Sequence, residues 1–372
     1  MISNQWYAIC RPKDVPRKKP VGMRRLGEDL VLYRDETGRV VCMQDRCAHK
    51  GAKLSLGRVT KQGRIACGYH GFEYDSDGEC VAIPALGEDA RIPKGLCTKT
   101  YRIAEKYQLI WFWYGDDRPA EELPEIPMFP EFRTGDPGSS SYIPRNKPAP
   151  VHYSRWMEAL SEFYHAPFVH TGGWLHYIIT YGVKGKYTDD YKVEVDGNHI
   201  KSSFIQRGEH DRYPQGLEKL IPSKLAWKWR VEFMMPNIIL LDAPPFQGMV
   251  AVIPVDDDHT IALYHSRWLW PKVFDRLLPK WLLKPLGDFV AWAEVLEQAY
   301  FDQLLDIPFM SSQTPKIGEV GASRFIAPDG LASHWLMLRK KLKEQALTDG
   351  LTRNIRRTPR PAHVAGVEAI AD

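Results

Sequence analysis

The feature that most constrains this chain is a pair of short Cys/His motifs in its first quarter. Cys47 and His49 lie two positions apart, Cys67 and His70 lie three apart, and seventeen residues separate the two motifs. Zinc fingers usually pair Cys with Cys and His with His, whereas one Cys and one His per motif suits a [2Fe–2S] cluster with two Cys on one iron and two His on the other. We therefore predict that these four residues bind a [2Fe–2S] cluster, with a structural zinc site as the alternative.

The composition is that of a large globular chain without a strong charge bias. The 372 residues are 44% hydrophobic and 12% aromatic, which is enough to fill two cores, so we predict two domains. The 50 basic and 46 acidic residues nearly balance at a net charge of +4, so nucleic acid is not an expected partner. Six cysteines in a chain of this size favour a metal site and buried thiols over a disulfide framework.

The first part of the chain has the character of a small all-β domain. Short apolar runs separated by Gly and Asp turns occupy it, among them Leu30–Arg34, Val40–Met43 and Leu109–Tyr114. We place this domain at residues 1–115. Because prolines and a Gly/Ser stretch interrupt residues 116–150, we predict an irregular linker there.

The part after the linker mixes helices and strands. A helical segment follows residue 151, five strand-like runs come next, and a long helical pattern covers residues 279–305. The five runs are Tyr191–Ile205, Ala226–Met235, Ile238–Leu241, Met249–Val255 and Thr260–Trp268. This order predicts an α+β domain over residues 151–340, with an antiparallel sheet and helices on one side. Residues 341–372 are polar and basic with little apolar periodicity, so we predict a mobile tail.

A second metal constellation lies early in the α+β domain. His165 and His170 are five residues apart, and on an unbroken helix their rings would diverge by about 140°. Pro167 is incompatible with a helix interior, so a break there lets both imidazoles face one ion. Two His and one carboxylate on one face of Fe(II) leave positions open for dioxygen and substrate. The pair is therefore a candidate for binding a mononuclear iron.

These motifs together resemble a known family, the Rieske non-haem iron oxygenases. The resemblance covers residues 5–114, which include the segment QWY, both Cys/His motifs and the segment GFEY after the second motif. It implies that the first domain is a Rieske [2Fe–2S] domain and that the second is a helix-grip domain of the START/Bet v 1-like kind. It also implies mononuclear Fe(II) as a second cofactor and dioxygen as a co-substrate.

The resemblance also points to a third iron ligand. Asp306, at the end of the long helical pattern, is followed seven residues later by Gln313, as the third ligand is in the family. Asp302, one turn earlier, is the alternative. We predict a ligand set of His165, His170 and Asp306.

Two positions ahead of the first iron ligand depart from the family's pattern. The family carries an Asn and an Asp where this chain has Ala159 and Glu162. In the family, that acid connects the iron site to a cluster histidine of the neighbouring subunit, which implies a head-to-tail homotrimer. Glu162 keeps a carboxylate on the helix face of His165, where it can accept a hydrogen bond from the second ring nitrogen. We predict that Glu162 takes the catalytic bridging role, with a solvated helix residue as the alternative.

The combined features predict a terminal oxygenase that hydroxylates a hydrophobic or cyclic organic substrate, with oxidative demethylation and ring cleavage as alternatives. No nucleotide motif such as GxGxxG occurs, so electrons from NAD(P)H are expected to arrive through a separate reductase or ferredoxin. The C-terminal motif is closest to the branch that contains pheophorbide a oxygenase. A Rieske electron-transfer protein without oxygenase activity is the competing hypothesis.

The surface around the Cys/His motifs carries positive charge. Five basic residues lie between or beside the motifs and form a candidate docking rim for an acidic ferredoxin, with plain solvated surface as the alternative: Lys50, Lys53, Arg58, Lys61 and Arg64.

The sequence also carries signals about location. Its N-terminus lacks a basic stretch followed by an apolar run and a small-residue cleavage site, so we predict no secretory signal and a cytoplasmic location. No run of about 18 consecutive apolar residues occurs, so no transmembrane span is predicted. Residues 268–292 come nearest to such a run, and contact between this segment and a membrane surface stays open.

Overall fold

The chain folds into an all-β first domain followed by an α+β second domain, which confirms the predicted fold class. The computed structural model describes residues 1–87, 91–133, 139–142, 148–162, 164–170, 183–210, 224–243, 246–269 and 279–356. Among these residues, no helix is both long enough and apolar enough to cross a lipid bilayer.

The first domain is built from three small antiparallel sheets. The three predicted runs lie in β3 (Glu28–Arg34), β4 (Val40–Gln44) and β11 (Leu109–Tyr114). The second Cys/His motif connects β6 (Ile65–Ala66) to β7 (Glu73–Tyr74). The first sheet contains β1 (Gln5–Cys10), β11 (Leu109–Tyr114) and β10 (Ile103–Lys106). The second contains β2 (Val21–Arg25), β3 (Glu28–Arg34), β4 (Val40–Gln44) and β9 (Thr100–Tyr101). The third contains β5 (Arg58–Val59), β6 (Ile65–Ala66), β7 (Glu73–Tyr74) and β8 (Cys80–Ala82).

The second domain is organised around one seven-stranded antiparallel sheet in the order β12-β18-β17-β16-β15-β14-β13. The strands are β12 (Ser139–Tyr142), β13 (Val183–Asp196), β14 (His199–His210), β15 (Lys224–Met234), β16 (Ile238–Ala243), β17 (Phe246–Pro254) and β18 (Thr260–Trp268). The run predicted over residues 191–205 is split between β13 and β14, because Gly197 takes a positive φ of 58° in the turn that joins them.

Five helices accompany the sheet in the described part of the chain. They are α1 (Tyr153–Ala159), α2 (Ala166–Val169), α3 (Lys280–Phe301), α4 (Ile307–Ser312) and α5 (Gly330–Arg356). A π-helical turn, Asp302–Asp306, joins α3 to α4. The long helical pattern predicted from the sequence therefore corresponds to α3 and most of this turn.

The central strands of the sheet are apolar on both faces. Ile239 and Leu241 face a core that also contains residues of α1, α3 and α5. Ile238 and Leu240 point the opposite way, into a core shared with Trp111 and other tryptophans of the first domain. Because side chains alternate along a strand, one continuous apolar run can bury both faces. The sheet thus joins the helices that carry the iron-ligand candidates to the domain that carries the Cys/His motifs.

The linker predicted over residues 116–150 is more ordered than its prolines indicated. Met128, Phe129 and Phe132 are buried in the core between the two domains. Glu131 accepts a hydrogen bond of 2.6 Å from the Arg230 guanidinium, and further along the chain β12 pairs with β18. Strand pairing and burial between distant residues override the weak local propensity. The described parts of this segment therefore pack against the second domain's sheet.

The predicted mobile tail is wrong for its first sixteen residues, because α5 continues through residues 341–356. Lys, Leu, Glu, Gln and Ala dominate that stretch, and these residues favour helix even without an apolar stripe. In the preceding turns, the buried Trp335 packs against Phe233 of the sheet, and the buried Arg339 donates a hydrogen bond of 2.9 Å to the Tyr153 hydroxyl of α1. Residues 357–372, the rest of the predicted tail, lie outside the described residues.

The packing of the outer sheet face predicts a large effect of truncating Leu240, whose side chain is fully buried at the domain junction. Leu240→Ala should destabilise the protein by about 2–5 kcal/mol, because it removes apolar contacts and leaves a cavity. Leu347→Ala is the matched control, since that leucine is 69% exposed on α5 and its loss should cost less than about 0.5 kcal/mol. Differential scanning calorimetry of both variants measures the effect, and equal melting temperatures would contradict the packing described.

Candidate metal centres

The two Cys/His motifs form loops with the same hydrogen-bond pattern. In each, the cysteine N–H donates to a carbonyl five residues later, and the cysteine carbonyl accepts from a glycine N–H four residues later. These bonds are Cys47 N to Ala52 O (2.8 Å), Gly51 N to Cys47 O (2.9 Å), Cys67 N to Phe72 O (2.8 Å) and Gly71 N to Cys67 O (3.0 Å). Gly51 and Gly71 have φ values of 72° and 75°, which side chains rarely allow. Both loops therefore fold back toward a shared centre.

The two cysteines and the two histidines predicted to bind the cluster differ in solvent exposure. Cys47 and Cys67 are buried, with 2% and 1% exposure, whereas His49 and His70 are exposed. The two imidazole rings lie 4.8 Å apart between centroids, and backbone N–H groups of Tyr69 and His70 reach the Cys67 sulfur. A thiol pair inside and an imidazole pair outside fit the two irons of a [2Fe–2S] cluster better than one tetrahedral zinc.

A further residue at this centre, Tyr74, was not singled out as a site residue by the sequence analysis. Its hydroxyl lies 3.2 Å from the Cys47 sulfur and accepts a hydrogen bond of 3.0 Å from Ala48 N. Burial and the neighbouring Cys47 raise the pKa of Tyr74, so the phenol keeps its proton at neutral pH. That proton can be donated to the sulfur, and hydrogen bonds to ligand sulfurs tune a cluster's potential. Only its place in the segment GFEY signalled it.

The predicted helix break between the two candidate histidines is present, but it falls earlier than expected. Helix α1 ends at Ala159, and His165 lies in the connection that leads to α2. Pro167 occupies the first turn of α2, where a missing N–H leaves no helical hydrogen bond unmade. The separate directions of α1 and α2 allow His165 and His170 to converge, with ring centroids 5.2 Å apart and planes at 81°.

Asp306 meets both histidines at the end of the π-helical turn. His170 Nε2 lies 2.9 Å from Asp306 Oδ1, and His165 Nε2 lies 3.8 Å from the same oxygen. One ligand atom from each residue falls within 4.8 Å of the others. Two imidazole nitrogens and one carboxylate oxygen form the donor set of a 2-His-1-carboxylate iron site. The alternative ligand, Asp302, has its side chain outside the described residues.

The carboxylate of Glu162 holds His165 from the side opposite Asp306. Glu162 Oε1 lies 2.8 Å from His165 Nδ1, and Oε2 accepts a hydrogen bond of 3.2 Å from His165 N. Burial opposes protonation of the imidazole, but the hydrogen bond and charge of Glu162 and the charge of Asp306 outweigh it and raise the pKa of His165. The longer glutamate side chain thus reaches the ring, and it leaves Nε2 directed at the site.

The candidate iron ligands are largely shielded from water. His170 and Asp306 are buried, and His165 is about three-quarters buried. Exposed apolar side chains flank them in sequence: Phe168, Leu304 and Phe309. Burial of the ligand atoms strengthens the attraction between a bound cation and the carboxylate.

Comparison with known proteins supports the first centre. Residues 5–102 match the Rieske [2Fe-2S] domain. The chain is 35% identical over 168 residues to the chloroplast protein TIC 55 of Pisum sativum, covering 45% of this chain and 30% of that protein. It is 33% identical over 267 residues to the vanillate O-demethylase oxygenase subunit of a Pseudomonas species, covering 68% of this chain and 60% of that subunit. The chain therefore spans less than two thirds of the length of these relatives.

The overall fold is that of solved oxygenase structures. The crystal structure of dicamba monooxygenase bound to dicamba superposes with a TM-score of 0.63 at 20% sequence identity, covering 94% of this chain and 99% of that one. The alignment with the vanillate demethylase subunit extends the likeness well beyond the first domain. The Rieske domain match shows that residues 5–102 form a Rieske [2Fe-2S] domain, and these relatives and the shared two-domain fold make the rest of the chain similar to the Rieske non-haem iron oxygenases.

Proposed function

We propose that this protein is a terminal oxygenase that uses dioxygen at a mononuclear iron to oxidise a cyclic organic substrate. The observation that carries the proposal is the meeting of His165, His170 and Asp306 in a chain that also contains a Rieske domain. The second and third of these residues are 136 positions apart in the sequence. A pure electron carrier has no need for a second, buried metal-binding triad. The oxygenase function therefore accounts for both centres.

The first centre is placed to receive electrons at the surface. A [2Fe–2S] cluster bound by Cys47, Cys67, His49 and His70 would accept and release one electron at a time. Both imidazoles are exposed, so a separate ferredoxin or reductase can approach closely. Lys50 and the other basic residues of the candidate docking rim favour an acidic partner at low ionic strength.

The second centre is arranged to hold a ligand set with open positions. Fe(II) bound by the triad would supply a site where dioxygen is activated next to the substrate. Glu162 fixes the His165 ring through Nδ1, which leaves Nε2 for the metal. Burial of His170 and Asp306 keeps bulk water away from the reacting groups.

A head-to-tail homotrimer is the assembly that this proposal requires. The tip of the first domain exposes Leu56 and Tyr69, and the surroundings of the triad expose Phe168 and Phe309. Apolar side chains at both centres suit an interface that brings the cluster of one subunit to the iron of the next. Glu162, at the edge of the triad, is then the bridging residue between them.

The substrate class is proposed from the aromatic side chains of the core on the inner sheet face and from related proteins. Aromatic side chains line the inner sheet face, including Phe204, Trp229 and Tyr264. The matched relatives include a vanillate O-demethylase and a dicamba monooxygenase, both named for aromatic compounds. We favour hydroxylation, with oxidative demethylation as the second candidate. The likeness to TIC 55 supports a place near the pheophorbide a oxygenase branch, and the cytoplasmic location stays a prediction.

Turnover under labelled dioxygen tests the proposed function. The protein, an acidic ferredoxin with its reductase and NAD(P)H should convert some members of a panel of cyclic compounds. Mass spectrometry should find one labelled oxygen atom in a hydroxylated product, or formaldehyde released from a methyl ether. Consumption of NAD(P)H without any substrate-derived product across the panel would count against the oxygenase and for the electron carrier.

Replacing one triad histidine separates the two centres. His165→Ala should abolish product formation and lower the iron content from about three to about two atoms per chain, because only the [2Fe–2S] cluster remains. The visible absorption of the cluster should not change. His259→Ala is the matched control, since His259 is about half-buried and pairs with Asp256 far from either centre in sequence. Retained turnover in His165→Ala would support the electron-carrier alternative.

Removing the carboxylate beside His165 tests the role of Glu162. Glu162→Ala should lower product formation or iron occupancy by roughly 10- to 100-fold, because the ligand ring loses its orienting partner. Glu162→Asp, which restores the acid found in the family, should recover part of the loss. Glu344→Ala removes an exposed glutamate from α5 and should have no effect. Full iron and full turnover in Glu162→Ala would contradict both the orienting and the bridging role.

A further inference from the structure

Polar side chains of α1 form hydrogen bonds with residues 315–330, which we call the C-terminal segment. Ser154 Oγ accepts a hydrogen bond of 2.8 Å from Gly318 N. The Arg155 guanidinium is buried and donates to Pro315 O and, over 3.0 Å, to Ser323 Oγ. Residues more than 150 positions later in the chain thus hold the helix that leads to the first candidate iron ligand.

The C-terminal segment also contacts the ligand loop, the residues around His165 that connect α1 to α2. The Tyr164 hydroxyl donates a hydrogen bond of 2.5 Å to Asp329 Oδ1, and Asp329 Oδ2 accepts one of 2.9 Å from Ile326 N. Asp329 is buried, with 7% exposure, and directly precedes the start of α5 at Gly330. Both carboxylate oxygens are therefore engaged, and Asp329 is fixed to its own turn while it holds Tyr164.

The contact between Tyr164 and Asp329 is adjacent in sequence to His165, the first iron-ligand candidate. Tyr164 directly precedes His165, whose ring and backbone N–H are both bonded to Glu162. The loop is thus restrained on one side by Glu162 and on the other by Asp329. A metal ligand must be held to within about half an ångström for a productive site, and loops reach such precision only with supporting contacts.

We propose that Asp329, acting through Tyr164, is a positioning residue for His165, so that docking of the C-terminal segment orders the iron site. This inference rests on the function proposed above, because it assumes that His165 binds iron. It goes further in assigning part of the site's precision to residues 326–330, which contribute no metal ligand.

The electrostatics of Asp329 argue for a role beyond general stability. The carboxylates of Asp329, Glu158 and Glu162 share one region beside the loop that carries His165, and Asp329 and Glu158 are both buried. Three carboxylates in one buried region disfavour the folded state unless other contacts compensate. An apolar residue at position 329 would avoid this cost, whereas only a hydrogen-bond acceptor can hold the Tyr164 hydroxyl.

The chain offers a matched control for the Tyr164 contact. Tyr191 also uses its hydroxyl to bind the start of α5, where it accepts a hydrogen bond of 2.8 Å from Leu331 N. Tyr191 lies on β13, away in sequence from the ligand candidates. Tyr164→Phe and Tyr191→Phe therefore each remove one hydroxyl contact to the same helix end, but only the first touches the ligand loop.

The experiment measures metal binding rather than turnover. Anaerobic titration with Fe(II) gives the affinity of the non-cluster site, and the absorption spectrum of the Co(II)-substituted site reports its geometry. Tyr164→Phe and Asp329→Ala should each weaken Fe(II) binding by roughly 10- to 100-fold and alter the Co(II) spectrum. The double variant should be no weaker than either single variant, because both remove the same contact. Asp329→Asn keeps an acceptor and should recover most of the affinity.

Tyr191→Phe should lower the melting temperature about as much as Tyr164→Phe while it leaves Fe(II) affinity and the Co(II) spectrum unchanged. Wild-type affinity in Tyr164→Phe, or an equal loss of affinity in Tyr191→Phe, would overturn the positioning role and leave the proposed oxygenase intact. A wild-type protein that binds no Fe(II) beyond its cluster would instead overturn the proposed function, and the positioning role with it.

Discussion

The structure depends on one sheet that is buried on both of its faces. Alternate side chains of β16 and β17 face two different cores, one shared with the tryptophans of the first domain and one shared with α1, α3 and α5. Because the hydrophobic effect acts on both faces at once, the sheet fixes the first domain and the helices in a single arrangement. The positions of both candidate metal centres follow from this packing, since neither centre lies on the sheet itself.

The two centres are built on different length scales. All four predicted cluster ligands lie within residues 47–70, on two loops whose shape is set by local hydrogen bonds and by glycines with positive φ. The candidate iron triad instead joins His165 and His170 to Asp306, which lies at the end of the π-helical turn after α3. Turns of the π type occur frequently at functional sites, and this one directs the carboxylate inward. The Cys/His site can form as soon as its two loops fold, whereas the triad can form only after the helices have packed.

The charge balance around the triad suits a cation. Three carboxylates, Glu158, Glu162 and Asp329, lie near the ligand loop, and Arg155 offsets one of them through a bond of 2.8 Å to Glu158. Asp306 adds a further negative charge beside two imidazoles. Burying such a group of charges costs free energy unless positive charge compensates, so the divalent ion of the proposed function would offset this cost. Asp329 of the C-terminal segment contributes to this charge balance, and its hydrogen bond to Tyr164 also restrains the loop that carries His165.

Local patterns were sufficient for the fold class, the cluster motifs and the paired histidines, because each depends on spacing within a few residues. They failed where distant contacts override local preference. The proline-rich linker gained β12 and a buried aromatic patch, and α5 ran through the predicted tail to Arg356. Spacing alone also left Asp302 and Asp306 as alternatives and placed no partner on Tyr164. The sequence by itself determined which chemical groups are available, whereas the meeting of Asp306 with His170, and of Asp329 with Tyr164, was decided by the tertiary structure, because contacts across more than 130 residues exist only after the sheet and helices pack.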